Sequence, residues 1–411
     1  MIVENVPFAM DHRLSKQAET LLARGYRVSV ITQRHPRNQL YRRTPELRLY
    51  EYPPPPESSH PLGYVVEYGY SMTMAWILAL RARLAGRIDL VQICQPPDIY
   101  FPIGLMLRAL GSRLIVDQRD LLPELYVSRY GKPRRSILWA LRRFEKLGQR
   151  AAEHVVCVND YLKDSAIERS GIAPDAVTVV RNGPVLARVV GASPDPELKR
   201  ERGHMCCWVG MMGRQDRLDL LLRAIAHAVF RLGRTDCQFV LIGDGESFHE
   251  TQALARELGL MEWVTFTGWL TEPDVFRYLA TADLGLDASL QDEVSPVKAL
   301  EYMAFGLPFA AFDLRETRAL GGDAAAYAAP GDAEELGAII HSLLGDEQQR
   351  RRMGELGRRR VREELSWERQ ALRYVDVIEG LHPGGSLRSQ GDPGTRSELK
   401  AGAADGGGRL D

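Results

Sequence analysis

Glu293 and Glu301 stand eight positions apart in the segment DEVSPVKALEYMAFG. Between them, Ser295 is of a type preferred as an N-cap, and Pro296 is favoured at the first position of a helix, where its missing N–H costs nothing. The pattern therefore predicts a helix that begins at Pro296 and stops at Gly306. Glu293 then lies in the loop before the helix, and Glu301 lies on its second turn.

The start of this helix is a candidate anion site. Free backbone N–H groups at a helix N-terminus attract negative charge and suit a phosphate. Two carboxylates that accept hydroxyl hydrogen bonds, placed on either side of a phosphate site, suit a nucleotide-sugar. The alternative is a solvated helix with two unrelated glutamates, and the pair alone does not exclude it.

The composition is that of a globular protein with more than one domain. The chain has 411 residues, too many for one ordinary core, with 45% hydrophobic and 26% charged residues. The net charge of -1 gives no bias toward nucleic acid. The five cysteines include no C-x2-C pair, which argues against a disulfide framework or a zinc site and favours a reducing cytosol.

Neither a leader nor a membrane span is expected. The opening MIVENVPFAMDHR has no basic flank followed by an apolar core, as a signal peptide would. The longest apolar stretch, near residues 72–80, is about half of the ~20 residues that a span needs. These features predict a cytoplasmic protein. The short opening strand leaves open whether the start codon is complete.

Strand and helix patterns alternate along the chain, as in βαβ units of parallel sheets. The predicted strands are residues 2–5, 27–32, 89–94, 113–117, 155–158, 177–180, 206–209, 238–242, 263–267, 284–287, 308–313 and 325–328. A polar linker at residues 186–203 divides them into two doubly wound, Rossmann-like halves. The predicted units are residues 1–185, residues 186–365, a helix near residues 366–382 that packs back on the first domain, and a disordered tail over residues 383–411.

A polar loop, QRDLLPELY, follows the strand at residues 113–117. In doubly wound folds, loops beyond the carboxyl ends of strands line the ligand crevice. This loop, residues 118–126, is therefore predicted to form part of a site, with a simple connection as the alternative.

A long helix predicted over residues 133–152 has a basic face. Its basic side chains are Arg134, Arg135, Arg142, Arg143, Lys146 and Arg150. Such a helix can lie on an anionic membrane surface, or its charges can simply be solvated.

Several motifs follow one another in a fixed order: DHR at 11–13, QPPD at 95–98, DQRDLLPELY at 117–126, RNGP at 181–184, VGMMGRQD at 209–216, LIGDG at 241–245 and FTGWL at 266–270. With the paired glutamates, their order and spacing resemble family 4 glycosyltransferases of the GT-B fold, in particular bacterial members that build surface glycans or natural products. The resemblance extends to about residue 381. It implies two Rossmann-like domains facing a cleft, and a retaining transfer from a nucleotide-sugar held mainly by the second domain to an acceptor held mainly by the first.

The resemblance also implies roles for residues of the second domain. Glu301 matches the glutamate that holds the ribose hydroxyls, and Glu293 matches one near the transferred sugar. Arg214 matches a cation that neutralises the leaving diphosphate, where charge builds as the glycosidic bond breaks. The further donor-binding positions are Gly213, Arg217, Gly243, Gly268, Leu270, Ser295, Pro296, Val297 and Lys298.

The first domain departs from the family pattern at Arg119, where members usually carry a His near the donor sugar. A permanent cation cannot act as acid or base in place of a neutral imidazole. Arg119 is therefore expected either to bind a phosphate or an acidic acceptor, or to mark an impaired site. The acceptor-side candidates are Asp11, Arg13, Asp120 and Glu124.

The expected function is a metal-independent hexosyltransferase without a cofactor, since the chain has no Asp-x-Asp. Its partners would be a nucleotide diphosphate sugar and a glycan, lipid-linked or small-molecule acceptor, with peripheral contact at the inner face of the membrane between Arg134 and Arg150, and no nucleic acid. The alternatives are a non-catalytic relative that assists an active transferase, which Arg119 favours, and a sugar-nucleotide epimerase. A dehydrogenase is disfavoured because no G-x-G-x-x-G follows the first strand.

Overall fold

The computed structural model describes residues 1–55, 61–130 and 134–381, so the predicted tail lies outside the described residues. Two parallel sheets follow each other along the chain, which confirms the predicted α/β class. The strands of the first are β1 (Val28–Gln33), β2 (Leu47–Tyr52), β3 (Leu90–Gln95), β4 (Arg113–Gln118), β5 (His154–Cys157) and β6 (Val177–Val179). The strands of the second are β7 (His204–Val209), β8 (Cys237–Ile242), β9 (Val264–Gly268), β10 (Leu284–Asp287), β11 (Phe309–Phe312) and β12 (Ala325–Ala328).

Helices connect the strands and cover both sheets. Those up to the second sheet are α1 (His12–Ala23), α2 (Pro61–Ala85), α3 (Phe101–Ala109), α4 (Leu122–Tyr130), α5 (Arg135–Ala151), α6 (Asp160–Ser170) and α7 (Leu186–Val189). Those that follow are α8 (Leu218–Ala226), α9 (Phe248–Glu257), α10 (Glu272–Thr281), α11 (Val297–Phe305), α12 (Arg315–Gly321), α13 (Ala333–Gly345), α14 (Glu347–Arg360) and α15 (Trp367–Leu381).

The first sheet has two parts that meet at a single residue. β1 pairs with β2, and β3, β4, β5 and β6 pair in that order, all parallel. Ile2 bridges Ile31 of β1 and Ile93 of β3, so the predicted strand over residues 2–5 is reduced to one bridging residue. The edge strand β2 was not predicted, although its LRLYEY alternates in the period of two that a strand requires.

The second sheet has the strand order β12-β11-β10-β7-β8-β9. Successive residues of its central strand β7 pack on opposite faces, with Cys206 and Trp208 in one core and Met205 and Cys207 in the other. The chain winds in opposite directions on the two sides of the β7–β10 pair. In doubly wound sheets, ligands bind at the carboxyl ends of the strands at this point.

Two predicted connecting segments contain helices. The predicted loop over residues 118–126 is half helical, because α4 begins at Leu122, with Pro and an acidic residue in its first turn, as helix starts favour. The predicted linker contains the short helix α7. The apolar stretch near residues 72–80 lies within α2, which extends from Pro61 to Ala85.

The last described helix, α15, packs against the first sheet although it follows the second. Trp367 Nε1 donates to Thr20 Oγ1 at 3.0 Å, and the Tyr374 hydroxyl donates to Gln92 Oε1 at 2.5 Å. The segments around Gly183 and Leu365 pack closely, because a Cβ added at Gly183 would lie 2.0 Å from the Leu365 carbonyl oxygen. The limits of the two domains, at residues 185 and 365, stay a prediction.

Side chains of the first half hold the loop before α11 and the start of α12. Asn159 Nδ2 donates to the Glu293 carbonyl oxygen at 2.8 Å. The buried Glu316 carboxylate accepts from the Tyr161 N–H at 2.9 Å and from Arg181 Nη1 at 3.1 Å. These bonds set the distance between the carboxyl ends of the two sheets, where the candidate site lies.

Candidate active site

A cleft of about 460 Å³ opens at the carboxyl ends of β7, β8 and β10, at the start of α11. Most of its lining belongs to the second half of the chain, and His12 reaches it from the first. Its lining includes His12, Gly210, Asp216, Gly243, Trp269, Leu270, Asp287, Ser295, Pro296, Val297, Lys298, Glu301 and Thr317. The predicted donor-binding positions from Ser295 to Glu301 therefore share one cavity with Gly243 and Leu270.

The α11 helix starts one residue later than predicted and without the predicted cap. Pro296 occupies the N-cap position, and Val297 is the first helical residue. The Val297 N–H donates to the Ser295 carbonyl oxygen at 2.8 Å, a tight turn that leaves the Ser295 hydroxyl buried and without a partner among the described residues. The helix ends at Gly306, whose φ of 68° suits glycine, as predicted.

Lys298 is already paired at the base of the cleft. Its Nζ lies 2.8 Å from Asp216 Oδ1 and 3.4 Å from Asp287 Oδ1, and 4.7 Å from the centre of the Trp208 ring. Burial lowers the pKa of Lys298, but the Asp287 and Asp216 carboxylates outweigh burial and raise it. Lys298 therefore carries its charge, and two carboxylates balance that charge before any ligand binds.

Glu301 is available to a ligand. Its carboxylate is half-buried and accepts no hydrogen bond from the part of the chain that the structure describes. Burial raises the pKa of Glu301 to about 7; Glu272 raises it further, and Lys16 on α1 lowers it. A carboxylate in this position gains most from hydroxyl donors, which stabilise its ionised form.

Glu293 lies on the other side of the helix start. Burial raises the pKa of its carboxyl group, and the nearby Glu124 and Asp120 add to the rise. The structure therefore brings these two acceptor-side candidates within electrostatic reach of Glu293. Glu124 also accepts from Arg169 Nη1 at 2.6 Å, and burial raises the pKa of Asp120.

Two glycine-containing loops touch at the back of the cleft. A Cβ at Gly243, whose φ is 129°, would lie 1.9 Å from the Gly210 carbonyl oxygen, so only glycine allows this approach. The Gly213 N–H donates to Asp216 Oδ2 at 3.2 Å. Gly268, with a φ of 68°, turns the chain into Trp269 at the rim. Gly213 and Gly268 thus shape loops of the cleft without being in its lining.

The two arginines of the loop after β7 differ in their partners. Arg214 is exposed, and its guanidinium has no hydrogen-bond partner within the described ranges. Arg217, in the left-handed region with a φ of 49°, pairs with Asp219 through two bonds of 2.9 Å. Neither lines the cleft. Arg217, predicted as a donor-binding position, is therefore paired with a carboxylate and lies outside the cleft lining.

Arg119 is half-buried in an ion cluster. Its Nε lies 3.1 Å from Asp117 Oδ2, its Nη1 bonds Asp11, and its Nη2 lies 3.1 Å from Cys94 Sγ. Arg13 Nη2 lies 2.7 Å from Asp117 Oδ1. Burial tends to raise the pKa of Asp117, but the two guanidinium groups outweigh it and lower that pKa.

This Asp117 cluster corrects the expectation for Arg119. Each of its three guanidinium nitrogens has a partner, so it is not free to bind a phosphate or an acidic acceptor. Asp11 and Arg13, predicted on the acceptor side, belong to the same cluster. Asp11 also caps α1, because its Oδ1 accepts the Leu14 N–H at 2.9 Å.

The cleft residues that received no role from the sequence include His12, Asp216, Trp269 and Asp287. His12, Asp216 and Trp269 lie inside the DHR, VGMMGRQD and FTGWL motifs, and Asp287 ends a predicted strand. Trp269 is 64% exposed at the rim, where a flat aromatic face suits a base. The sequence feature that could have identified these residues is a polar or aromatic side chain near the carboxyl end of a strand.

The described ranges contain neither a cluster of metal ligands nor a membrane-spanning helix. No group of three or more His, Cys, Asp and Glu side chains in residues 1–55, 61–130 and 134–381 is arranged to hold a metal ion. In the same ranges, every helix is too short or too polar to span a bilayer.

Two family models match the chain in succession. A glycosyl transferase 4-like domain matches residues 9–183, and the glycosyl transferases group 1 model matches residues 203–346. Together they cover both sheets and the cleft between them.

Individual proteins match to different extents. The MMP alpha-(1->4)-mannosyltransferase of Mycolicibacterium hassiacum is 31% identical over 168 residues, which cover 39% of this chain and 41% of that protein. The 2-deoxystreptamine glucosyltransferase of Streptomyces kanamyceticus is 25% identical over 360 residues, 82% of this chain and 90% of that protein. The crystal structure of Anabaena HepE in complex with UDP shares the fold, with a TM-score of 0.70 at 15% identity over 92% of this chain and 99% of that chain.

Proposed function

The chain belongs to the group 1 (family 4) glycosyltransferases of the GT-B fold, and we propose that it transfers a hexose, with retention, from a nucleotide diphosphate sugar to a glycan, lipid-linked or small-molecule acceptor. The observation that carries this proposal is the cleft at the switch point of the second sheet. There the Glu301 carboxylate and the Ser295 hydroxyl, which have no hydrogen-bond partner among the described residues, lie near the N-terminus of α11.

The donor fits this cleft in one orientation. Glu301 would accept hydrogen bonds from the ribose hydroxyls, and Trp269 at the rim would stack on the base. The diphosphate would then lie over the start of α11, where the helix dipole favours negative charge. Because HepE was crystallised in complex with UDP, UDP is the first nucleotide to test here.

The reaction demands stabilisation of the departing diphosphate. As the bond between C1 of the sugar and the phosphate oxygen breaks, its electron pair stays on that oxygen, and fixed positive groups lower the barrier. Arg214 is free to move onto the phosphates, and Lys298 lies below them. We propose that the Arg214 guanidinium and the backbone N–H groups at the start of α11, rather than a divalent metal, stabilise the departing diphosphate, so a chelator should leave the rate unchanged.

The acceptor would enter from the first domain, beside Asp120, Glu124 and Glu293. The two relatives named above carry different molecules in their names, MMP in one and 2-deoxystreptamine in the other, so the family alone does not choose the acceptor. A hydroxyl that attacks C1 must approach near Glu293. Carboxylates there would orient the acceptor by accepting its hydrogen bonds.

A membrane-borne acceptor has support from α5. Trp139 is 69% exposed, Phe144 and Ile137 are also exposed, and the basic residues Arg142 and Arg143 occupy the same helix. Exposed aromatic groups beside basic ones suit the surface of an anionic bilayer. We propose a cytoplasmic enzyme peripheral at the inner face of the membrane. The protein should sediment with phosphatidylglycerol vesicles and should not bind phosphatidylcholine vesicles.

A thermal-shift panel of UDP, GDP, ADP, CDP and dTDP tests the donor site. A nucleotide at about 100 times its dissociation constant should stabilise the wild type by about 2.7 kcal/mol. Glu301→Ala should abolish the shift. Glu355→Ala, which removes an exposed glutamate on α14, is the matched control and should leave the shift intact.

A non-catalytic relative remains the second candidate, because Arg119 replaces the expected His and is held by the Asp117 cluster. Nucleotide binding with no sugar transfer to any acceptor would favour it. Turnover of a donor sugar by the purified protein alone would exclude it. If no nucleotide stabilises the wild type, the donor-site proposal itself is wrong.

A further inference from the structure

We infer that His12 binds the terminal phosphate of the donor diphosphate from the side of the first sheet, which makes it a catalytic residue of the transfer. This inference rests on the proposed function and adds to it a residue from the opposite wall of the cleft. His12 is the first residue of α1, and it lines the same cavity as Ser295, Lys298 and Glu301.

The backbone of His12 is held in place while its side chain is free. Asp11 caps α1 through the Leu14 N–H, and its other oxygen bonds Arg119. Ser15 Oγ donates to the His12 carbonyl oxygen at 3.3 Å. The imidazole itself is exposed and has no hydrogen-bond partner among residues 1–55, 61–130 and 134–381. The Asp117 cluster therefore fixes the helix end that presents this ring to the cleft.

The charged groups around the cleft favour an additional hydrogen-bond donor to the diphosphate. Lys298 is balanced by Asp216 and Asp287, so this triad carries more negative than positive charge. Arg217 and Arg119 are likewise held by carboxylates. A diphosphate would enter a lining that has no unpaired permanent cation among the described residues.

The groups that face His12 come from several elements. Lys16 follows one turn later on α1, and its ammonium donates to the Gly183 carbonyl oxygen at 2.7 Å. Across the cleft lie Glu301 of α11 and Thr317 of α12. With Glu301 assigned to the ribose, the His12 imidazole, which lines the cavity from the first half of the described chain, is left to contact the diphosphate.

The step balances without any further reactant. The bond between C1 and the phosphate oxygen breaks, and its electron pair stays on that oxygen. The acceptor oxygen forms the new bond to C1, and its proton leaves to the diphosphate. The His12 N–H donates a hydrogen bond to a phosphate oxygen throughout, which is worth more as charge accumulates there.

Calorimetry with UDP and UMP, or with the matching pair for the base selected in the panel, tests the inference. His12→Ala should weaken diphosphate binding about tenfold or more, while monophosphate binding changes less than about twofold. His12→Arg, which keeps N–H donors at this position, should retain most of the diphosphate affinity. His249→Ala, at an exposed histidine of α9, is the control and should bind as the wild type does.

Each outcome has one meaning. Equal diphosphate affinity in His12→Ala and the wild type overturns the inference and leaves the proposed function intact. Equal losses for the diphosphate and the monophosphate also overturn it, because the phosphate-specific contact is then absent. Should His12→Ala fold poorly, His12→Leu, whose side chain has no donor, replaces it with the same expected loss. A wild type that binds no diphosphate overturns the proposed function first.

Discussion

The donor cleft and the Asp117 cluster use the same types of residue for opposite purposes. In the cluster, two guanidinium groups face two carboxylates, and each charged group has a partner. In the cleft, Glu301 and the Ser295 hydroxyl have no partner in the described part of the chain, and Arg214 nearby is equally free. Paired buried charges support the fold, and unpaired ones at a strand end are available to a ligand.

The difference lies in what surrounds each group. Asp117 is fully buried, and its two arginines overcome the cost of burial and lower its pKa. Glu301 has no such arginine, so burial raises its pKa to about 7. The pKa is thus lowered for Asp117, which is paired with arginines, and raised for Glu301, whose carboxylate can accept hydroxyl donors from a ligand.

The largest expected effect is on stability, from Asp117→Asn. This change leaves Arg13 and Arg119 buried without a full counter-charge, and breaking a buried pair in this way costs about 3–5 kcal/mol. Urea unfolding of the variant should show the loss. The matched control is Asp89→Asn, whose partner Arg87 lies 2.8 Å away with both side chains largely exposed, and it should cost less than about 1 kcal/mol.

The same carboxylate should make stability depend on pH in acid. Because the folded pKa of Asp117 is lowered, its contribution is present above the unfolded value of about 4 and is lost as pH falls through the folded value. Asp117→Asn should therefore flatten the acid limb of the stability curve. An equal acid limb in the variant and the wild type would mean that other carboxylates carry it.

The sequence predicted the donor side better than the first domain. The E-x7-E segment, its helix and the strands on either side are local patterns, and α11 departs from the prediction by one residue. The Ser295 cap failed because the Val297 N–H bonds the Ser295 carbonyl instead of leaving a donor for the hydroxyl. The same loop is also held by Asn159, which lies 134 positions earlier in the chain and donates to the Glu293 carbonyl oxygen.

The Asp117 cluster could not be predicted, because its members are far apart along the chain. Arg119 and Asp11 are separated by 108 positions, and Arg13 and Asp117 by 104. No local spacing shows which carboxylate a distant arginine will meet. The strand β2 was missed for a different reason: it lies at the edge of the sheet, and only its end residues, Leu47 and Tyr52, are buried.

The next effect is the pH dependence of nucleotide binding through Glu301. Burial holds the pKa of Glu301 near 7, and its ionised form accepts ribose hydroxyls best, so affinity should rise as pH rises through 7. Below pH 7 the affinity should fall by at most about tenfold per pH unit. Calorimetry at about pH 6, 7 and 7.5 measures the slope.

Glu301→Gln supplies the control for that slope. The amide keeps the size of the side chain and does not titrate, so the variant should bind weakly at every pH with no slope. Lys16, whose pKa burial lowers to about 8, is a neighbouring group that also titrates near this range. A slope that persists in Glu301→Gln would assign the pH dependence to Lys16 or another group.

The smallest expected effect concerns Arg214 and Arg217 after β7, both of which were predicted to bind the donor. Arg217 is held by Asp219 in a half-exposed pair, so Arg217→Ala should cost at most about 1 kcal/mol of stability and change kcat/KM less than about threefold. Arg214→Ala should leave stability unchanged within about 0.5 kcal/mol but lower kcat/KM at least tenfold, because only its guanidinium is free to reach the phosphates. Steady-state kinetics beside thermal melts give both quantities. Equal kinetic losses in the two variants would show that the Arg217 pair opens when the donor binds, and the contrast between paired and free charges would fail at this loop.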